Sequence, residues 1–202
     1  MIVVPPTAEG LARAAEAVRG GEAVAYPTET VYGLGVDPFS ESALARLFAV
    51  KRRSQGQAVL VIIAEPGQAR EVAESVSPRA AACIEAFWPG ALSLVLPRSR
   101  RVPDQLTGGR QTVCVRCPAS DIARDLCRSV GGPVTSTSAN VSGESPARSL
   151  ADITLAGVAI GVDGGTLAPS APSTVFDPER GEILREGVIS REEIDKVLKR
   201  RS

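Results

Sequence analysis

The 202-residue chain contains no histidine. That absence excludes Ser-His-Asp and Cys-His catalysis, histidine metal sites and histidine general bases. Lysine is almost as scarce: only Lys51, Lys196 and Lys199 occur among the 23 basic residues, the others being arginine. Arginine suits oxyanion recognition because its guanidinium is a planar fork of donors. There is no excess of either charge, since 23 acidic residues balance the basic ones. A protein built around phosphate backbones usually carries a basic surplus. Aromatic residues make up 3% of the chain, which leaves little for base stacking. No long apolar run is present either. The longest, Ala58 to Ala64, falls far short of the ~20 residues a membrane helix needs. The N-terminal Met1-Ile2-Val3-Val4 lacks the basic region of a secretion signal. A soluble, cytoplasmic protein is therefore expected. Hydrophobic residues at 44% and charged residues at 23% are ordinary globular values.

The four cysteines are Cys83, Cys114, Cys117 and Cys127. Cys114 and Cys117 spell C-x-x-C, but a redox pair opens a helix and zinc needs further ligands. The segment from Thr112 to Arg116 reads instead as a strand, where residues three apart face opposite sides. Small buried thiols are expected.

Helix and strand signals alternate along the chain. Thr7 caps a helix with Leu11, Ala14, Ala15 and Val18 on one face, stopped by Gly20-Gly21. Ser40 caps a second helix ending near Lys51, and Ser77-Pro78 opens a third. A fourth runs around Ile122 to Arg128, and Ser190 to Glu193 form a capping box for a closing helix. Strands are expected at Ala23–Tyr26, Ala58–Ile63, Ala91–Leu96, Thr112–Arg116 and Pro133–Ser136. Shorter ones are expected at Val158–Ile160, Thr174–Phe176 and Glu182–Leu184. This alternation lacks a clean βαβ rhythm, which favours one α/β domain over residues 1–202, with a twisted, mixed, open sheet flanked by helices. Its core spans about residues 7–190.

No phosphate-loop, dinucleotide-binding or nucleophile-elbow motif occurs. What remains is a set of polar clusters at strand ends. Tyr26 to Gly35 packs two aromatics, two hydroxyls, a carboxylate and two glycines into ten residues. Lys51-Arg52-Arg53 closes a helix, where cations are also favoured by the helix dipole alone. Thr135 to Gly143 is a run of small donors able to wrap a phosphate. Arg116 is a charge on an otherwise apolar strand, either paired or held for an anionic ligand. Ser173-Thr174 and Leu184-Arg185 lie at later strand ends.

In their order, these clusters resemble the threonylcarbamoyl-adenylate synthase family, which has the YrdC-like fold. The resemblance is carried by Pro27 to Gly35, Lys51-x-Arg53, Trp88-Pro89-Gly90 and Thr112-Val113-x-Val115-Arg116-x-Pro118. It continues through Ser138-Ala139-Asn140-x-Ser142-Gly143, Pro172 to Val175 and Leu184-Arg185-x-Gly187. It covers about residues 7–190. It implies synthesis of threonylcarbamoyl-adenylate from L-threonine, bicarbonate and ATP, with release of pyrophosphate. The product serves N6-threonylcarbamoyladenosine formation at position 37 of ANN-decoding tRNAs, through a tRNA threonylcarbamoyl transferase complex. No protein nucleophile is needed, and Mg²⁺ accompanies ATP without dedicated protein ligands.

The same resemblance assigns Thr30, Arg116 and Ser173 to L-threonine. It assigns Lys51, Arg53, Gln57, Thr112, Ser138, Asn140 and Arg185 to ATP, with Lys51 and Arg53 positioning the phosphates. The chain departs from the family at several points. Gln57 stands where many relatives carry Asn, Ser54 where Pro is usual, Ile62 where some carry a threonine-contacting His, and Ala147 where a hydroxyl is common. Its length matches the short form without an extra C-terminal domain. Two other roles fit the residues: an RNA-binding or ribosome-assembly protein, for which Lys51–Arg53 and Arg98–Arg101 would supply weak RNA binding, and a nucleotide-binding paralogue without synthase activity. The related carbamoyl-adenylate domains of hydrogenase-maturation proteins belong to much larger chains.

Overall fold

The computed structural model describes residues 1–52, 56–141 and 143–200. The strands are β1 (Ile2–Val4), β2 (Ala23–Pro27), β3 (Tyr32–Gly35), β4 (Leu60–Ile62), β5 (Leu92–Pro97), β6 (Thr112–Arg116), β7 (Val134–Ser138), β8 (Val158–Val162), β9 (Thr174–Asp177) and β10 (Glu182–Arg185). The helices are α1 (Ala8–Arg19), α2 (Glu41–Lys51), α3 (Ala69–Val72), α4 (Pro78–Phe87), α5 (Asp104–Thr107), α6 (Asp121–Val130) and α7 (Arg191–Lys199). The strands form one sheet in the order β1-β8-β2-β3-β7-β4-β6-β5-β9-β10. Parallel pairs such as β4–β6 and β5–β9 occur beside antiparallel ones such as β2–β3 and β5–β6. The sheet is thus mixed and open, as the alternating signals suggested.

The caps act as read from the sequence. The side chains of Thr7, Ser40, Ser77 and Ser190 each accept a hydrogen bond from a backbone N–H in the first turn of their helices. Two strands escaped the sequence reading. β1 is three residues long, below the length at which periodicity is visible, and lies outside the expected core range. β3, Tyr-Gly-Leu-Gly, carries two glycines and reads as a turn, yet all four of its residues are buried. Gly35 explains why. A Cβ there would lie 2.5 Å from Val134 Cγ1 and 2.8 Å from Tyr26 Cε1. The missing side chain makes room for the Tyr26 ring, whose hydroxyl donates to Thr135 O at 2.8 Å. Gly35→Ala should therefore destabilise the fold by about 1–3 kcal/mol, the usual cost of overpacking, read as a lower midpoint in urea unfolding.

Side-chain alternation divides the interior in two. Ala23, Ala25, Val61, Leu92, Leu94, Val113 and Val115 join α2 and α4 in the larger core. Val24, Tyr26, Ile62 and Val134 point the other way, into a second core with Leu11, Val18 and Leu126 of α1 and α6. Those two helices cover only part of that second face. Leu60 and Ser136, each two residues from a member of the second core, already line an open cavity. The uncovered half of the sheet is where the polar strand residues emerge.

Candidate active site

That uncovered half forms the floor of a cavity of about 680 Å³, within the range typical of small-molecule sites. β6 contributes Thr112, Cys114 and Arg116, its outward set, while Val113 and Val115 fill the core behind. β5 adds Ser93 and Val95, β7 adds Ser136 to Ser138, and β9 and β10 add Val175, Leu184 and Arg185. The β2–β3 turn closes one side with Thr28, Thr30 and Val31. No carboxylate appears among these lining residues.

The turn is built around one hydroxyl. Thr28 Oγ1 donates to Val31 O at 2.7 Å and accepts from the backbone N–H groups of Thr30 and Val31. With its proton committed, Thr28 can only accept in its 3.0 Å contact with Thr30 Oγ1. Thr30 is thereby the donor, and its lone pairs remain available to accept from a ligand. Thr30 is buried.

Arg116 is 4% exposed. Its Nε donates to Gly90 O at 3.1 Å, and its Nη2 lies 2.5 Å from Glu29 Oε2. The Trp88-Pro89-Gly90 segment exists in part to deliver that carbonyl. Trp88 Nε1 donates to Leu92 O at 2.6 Å, and Gly90 N–H donates to Cys117 O at 2.8 Å. A Cβ on Gly90 would meet Phe87 O at 2.3 Å, so no larger residue fits this turn. Opposite, Arg185 donates from Nε and Nη2 to Ser173 O and from Nη2 to Ser173 Oγ at 2.9 Å. Ser173 Oγ in turn contacts Ser93 Oγ at 3.0 Å. Arg185 thus fixes the hydroxyl of Ser173 as well as presenting its own charge.

Lys51 is buried beneath the loop that follows β7. Its Nζ donates to Ser138 O at 2.5 Å, Asn140 O at 2.6 Å and Asn140 Oδ1 at 3.3 Å. Asn140 Nδ2 donates to Val141 O and Glu144 O. Lys51 and Asn140 hold the loop from behind, whereas Ser138 is at the cavity surface.

Of the residues assigned from sequence, Thr30, Gln57, Thr112, Arg116, Ser138, Ser173 and Arg185 line one cavity. Lys51 and Asn140 sit behind its wall. Arg53 lies outside the described residues. Ile62 belongs to the second core and Ala147 to the first, so neither departure faces the cavity. Ser136, part of the Thr135–Gly143 run of small donors, also lines the cavity, whereas sequence reading missed Ser93 and Arg110. The alternation in Leu92-Ser93-Leu94 is the signal that would have found Ser93; Arg110 lies in a loop and had none.

The Sua5/YciO/YrdC family model, described as telomere recombination, matches residues 16–187. The chain belongs to this family. Its sequence is 42% identical over 170 residues to the threonylcarbamoyl-AMP synthase of Thiobacillus denitrificans, covering 83% of this chain and 90% of that protein. Pyrococcus abyssi Sua5 in its complex with L-threonine superposes with a TM-score of 0.90 at 36% identity, covering 98% of this chain. This chain spans 59% of that longer one. Escherichia coli YciO matches with a TM-score of 0.82 at 25% identity, covering 96% of this chain and 97% of its own.

Within this Sua5/YciO/YrdC chain the cysteines are poor nucleophiles. Burial pushes the Cys83 and Cys117 thiols up to about 11 and the Cys114 thiol up to about 12, and raises Cys127 as well. Cys114 and Cys117 do point to opposite sides of the sheet: Cys114 lines the cavity, while Cys117 Sγ reaches Ala64 O in the core. A raised pKa lowers the thiolate fraction, so at pH 8 alkylation by iodoacetamide should run about 100-fold or more slower than for an exposed thiol. The rate in denaturant against the rate in buffer checks this.

Proposed function

We propose that this chain is a threonylcarbamoyl-AMP synthase, joining L-threonine, bicarbonate and ATP and releasing pyrophosphate. The observation that carries this reading is one cavity lined both by a buried guanidinium with the hydroxyls of Thr30 and Ser173 and by the small donors Ser136 to Ser138, next to a loop pinned by Lys51.

In this reading Arg116 takes the carboxylate of threonine. Because its Nε is already committed to Gly90 O, the grip is through the two terminal nitrogens. Thr30 and Ser173 read the rest of the amino acid. The carbamate formed from its amine and bicarbonate then attacks the α-phosphorus, and pyrophosphate leaves. A protein nucleophile is unnecessary, so a chain without histidine loses nothing. Thr112, Gln57, Ser138 and Arg185 meet ATP, and Lys51 and Asn140 shape the loop that does so; Arg53 completes the phosphate contacts. The work is positioning and charge neutralisation.

Among the described residues no three carboxylate, thiol or imidazole groups converge on a point. A Mg²⁺ carried in on the nucleotide phosphates would need no dedicated protein ligands, and the lone pairs of the Ser136 and Ser138 hydroxyls at the cavity surface would be available to it. When bound it neutralises phosphate charge. The unit 1–202 works as one domain, in the cytoplasm, handing its product to a tRNA threonylcarbamoyl transferase complex. No described helix is long and apolar enough to cross a membrane.

The test is pyrophosphate release from ATP and Mg²⁺, with threonine and bicarbonate omitted in turn. Release that needs both supports the synthase. ATP binding without release indicates a nucleotide-binding paralogue, and salt-dependent RNA binding with no ATP binding indicates the RNA-binding role.

A further inference from the structure

Just behind the cavity wall, where Arg116 lines it, three charged atoms meet without a hydrogen bond. Arg116 Nη2 and Glu29 Oε2 are 2.5 Å apart, an ion-pair distance. Yet Arg116 Nη2, Glu29 Oε1 and Glu29 Oε2 are all buried and lack a hydrogen-bond partner. Buried polar atoms are ordinarily satisfied, and buried charges more strictly still. Glu29 sits between Thr28 and Thr30 in the turn whose geometry the Thr28 hydroxyl fixes. It belongs to the first polar cluster of the sequence, but the synthase chemistry described above gives it no task.

We propose that Glu29 recognises the amino group of the amino-acid substrate while Arg116 recognises its carboxylate. This rests on the synthase reading. An α-amino acid carries an anionic and a cationic group on a single carbon, and the protein sets a cation and an anion side by side. The substrate carboxylate supplies acceptors for Arg116 Nη2, and its ammonium supplies donors for both Glu29 oxygens. All three unsatisfied atoms are then answered by one ligand. The nitrogen keeps at least one N–H in the amino acid, in its carbamate and in the final mixed anhydride. Once the ammonium has released one proton to solvent, the amine keeps N–H donors toward Glu29, which orients its lone pair toward the bicarbonate carbon; the C–N bond forms, water leaves, and the carbamate N–H stays on Glu29. Glu29 is on this account a specificity and positioning residue, rejecting acids that lack an amine.

Calorimetric affinities of the full chain for L-threonine and (R)-3-hydroxybutanoate, the same molecule without its amino group, test this. The unaltered protein should prefer threonine by about tenfold or more, and Glu29→Gln should lose about 10–100-fold in threonine affinity, as expected for a charged hydrogen bond. Its affinity for 3-hydroxybutanoate should hardly change, and Glu29→Asp should keep the preference. Unchanged threonine affinity in Glu29→Gln overturns the proposal. So does tighter threonine binding, which would make Glu29 a competitor that the substrate displaces, and so does an equal loss for both ligands. Should Glu29→Gln fail to fold, the unaltered protein decides: equal affinity for the two ligands overturns the proposal. If the unaltered protein binds threonine with this preference but makes no adenylate, the synthase reading fails by itself. If it binds neither ligand, both fail together.

Discussion

Arg116→Ala is expected to lower kcat/KM for threonine by about 10²–10³-fold, the typical cost of removing one preorganised charge contact, while ATP binding stays nearly unchanged. Arg116→Lys should recover little of this, because an ammonium is a point charge and cannot span two carboxylate oxygens. The same change leaves Glu29 buried without its counter-ion. Stability should therefore fall by about 1–3 kcal/mol. Adding Glu29→Gln to Arg116→Ala should return most of that stability and none of the activity. Steady-state kinetics and urea unfolding of the two single variants and the double variant separate these effects. A threonine kcat/KM within threefold of the unaltered protein would show that Arg116 has only a structural role.

Lys51→Met is expected to weaken ATP binding by about 5–150-fold, corresponding to about 1–3 kcal/mol for acceptors left without a donor. The reasoning is geometric. The ammonium satisfies Ser138 O, Asn140 O and Asn140 Oδ1 together, so its loss loosens the end of β7, which carries Ser138, and the loop after it. Threonine affinity should change far less, since Thr30, Arg116 and Ser173 are held by other contacts. A drop in unfolding midpoint should accompany the loss of ATP affinity. If Lys51 instead touches the phosphates directly, ATP affinity falls while AMP affinity and stability hold. Calorimetry with ATP and AMP beside thermal unfolding distinguishes the two.

The sequence made some parts of this architecture visible and hid others for physical reasons. Helix starts were legible because Thr7, Ser40, Ser77 and Ser190 cap locally, using atoms within three residues of each other. Arg116 stood out because an unexplained charge on an apolar strand demands a partner. That the partner includes Glu29, 87 positions earlier, is a tertiary fact no local pattern encodes. β3 was hidden because its glycines answer to the Tyr26 ring on the neighbouring strand rather than to any propensity of their own. The position of Lys51 was hidden for a similar reason. A lysine at a helix C-terminus looks solvated, and only the fold brings the loop after β7 over it. The polar floor of the cavity was half legible. Alternation marks which strand residues share a face, but not which half of that face α1 and α6 leave bare.

Seven of the residues that the family resemblance assigns line one cavity. The structure also moves the weight of the site. Ser173 is not a lone hydroxyl, because Arg185 holds it by backbone and side chain together. Asn140 is not a free amide, because both of its ends are committed to the loop and to Lys51.

The central claim is that this one cavity couples threonine and bicarbonate to ATP. Incubating the purified chain with ATP, Mg²⁺, L-threonine and ¹³C-bicarbonate, followed by rapid quenching and mass spectrometry, tests it most directly. The expected result is threonylcarbamoyl-AMP one mass unit heavier than with unlabelled bicarbonate, absent without threonine and lost in Arg116→Ala. Pyrophosphate release without a labelled anhydride, or an adenylate formed equally well without threonine, would contradict it.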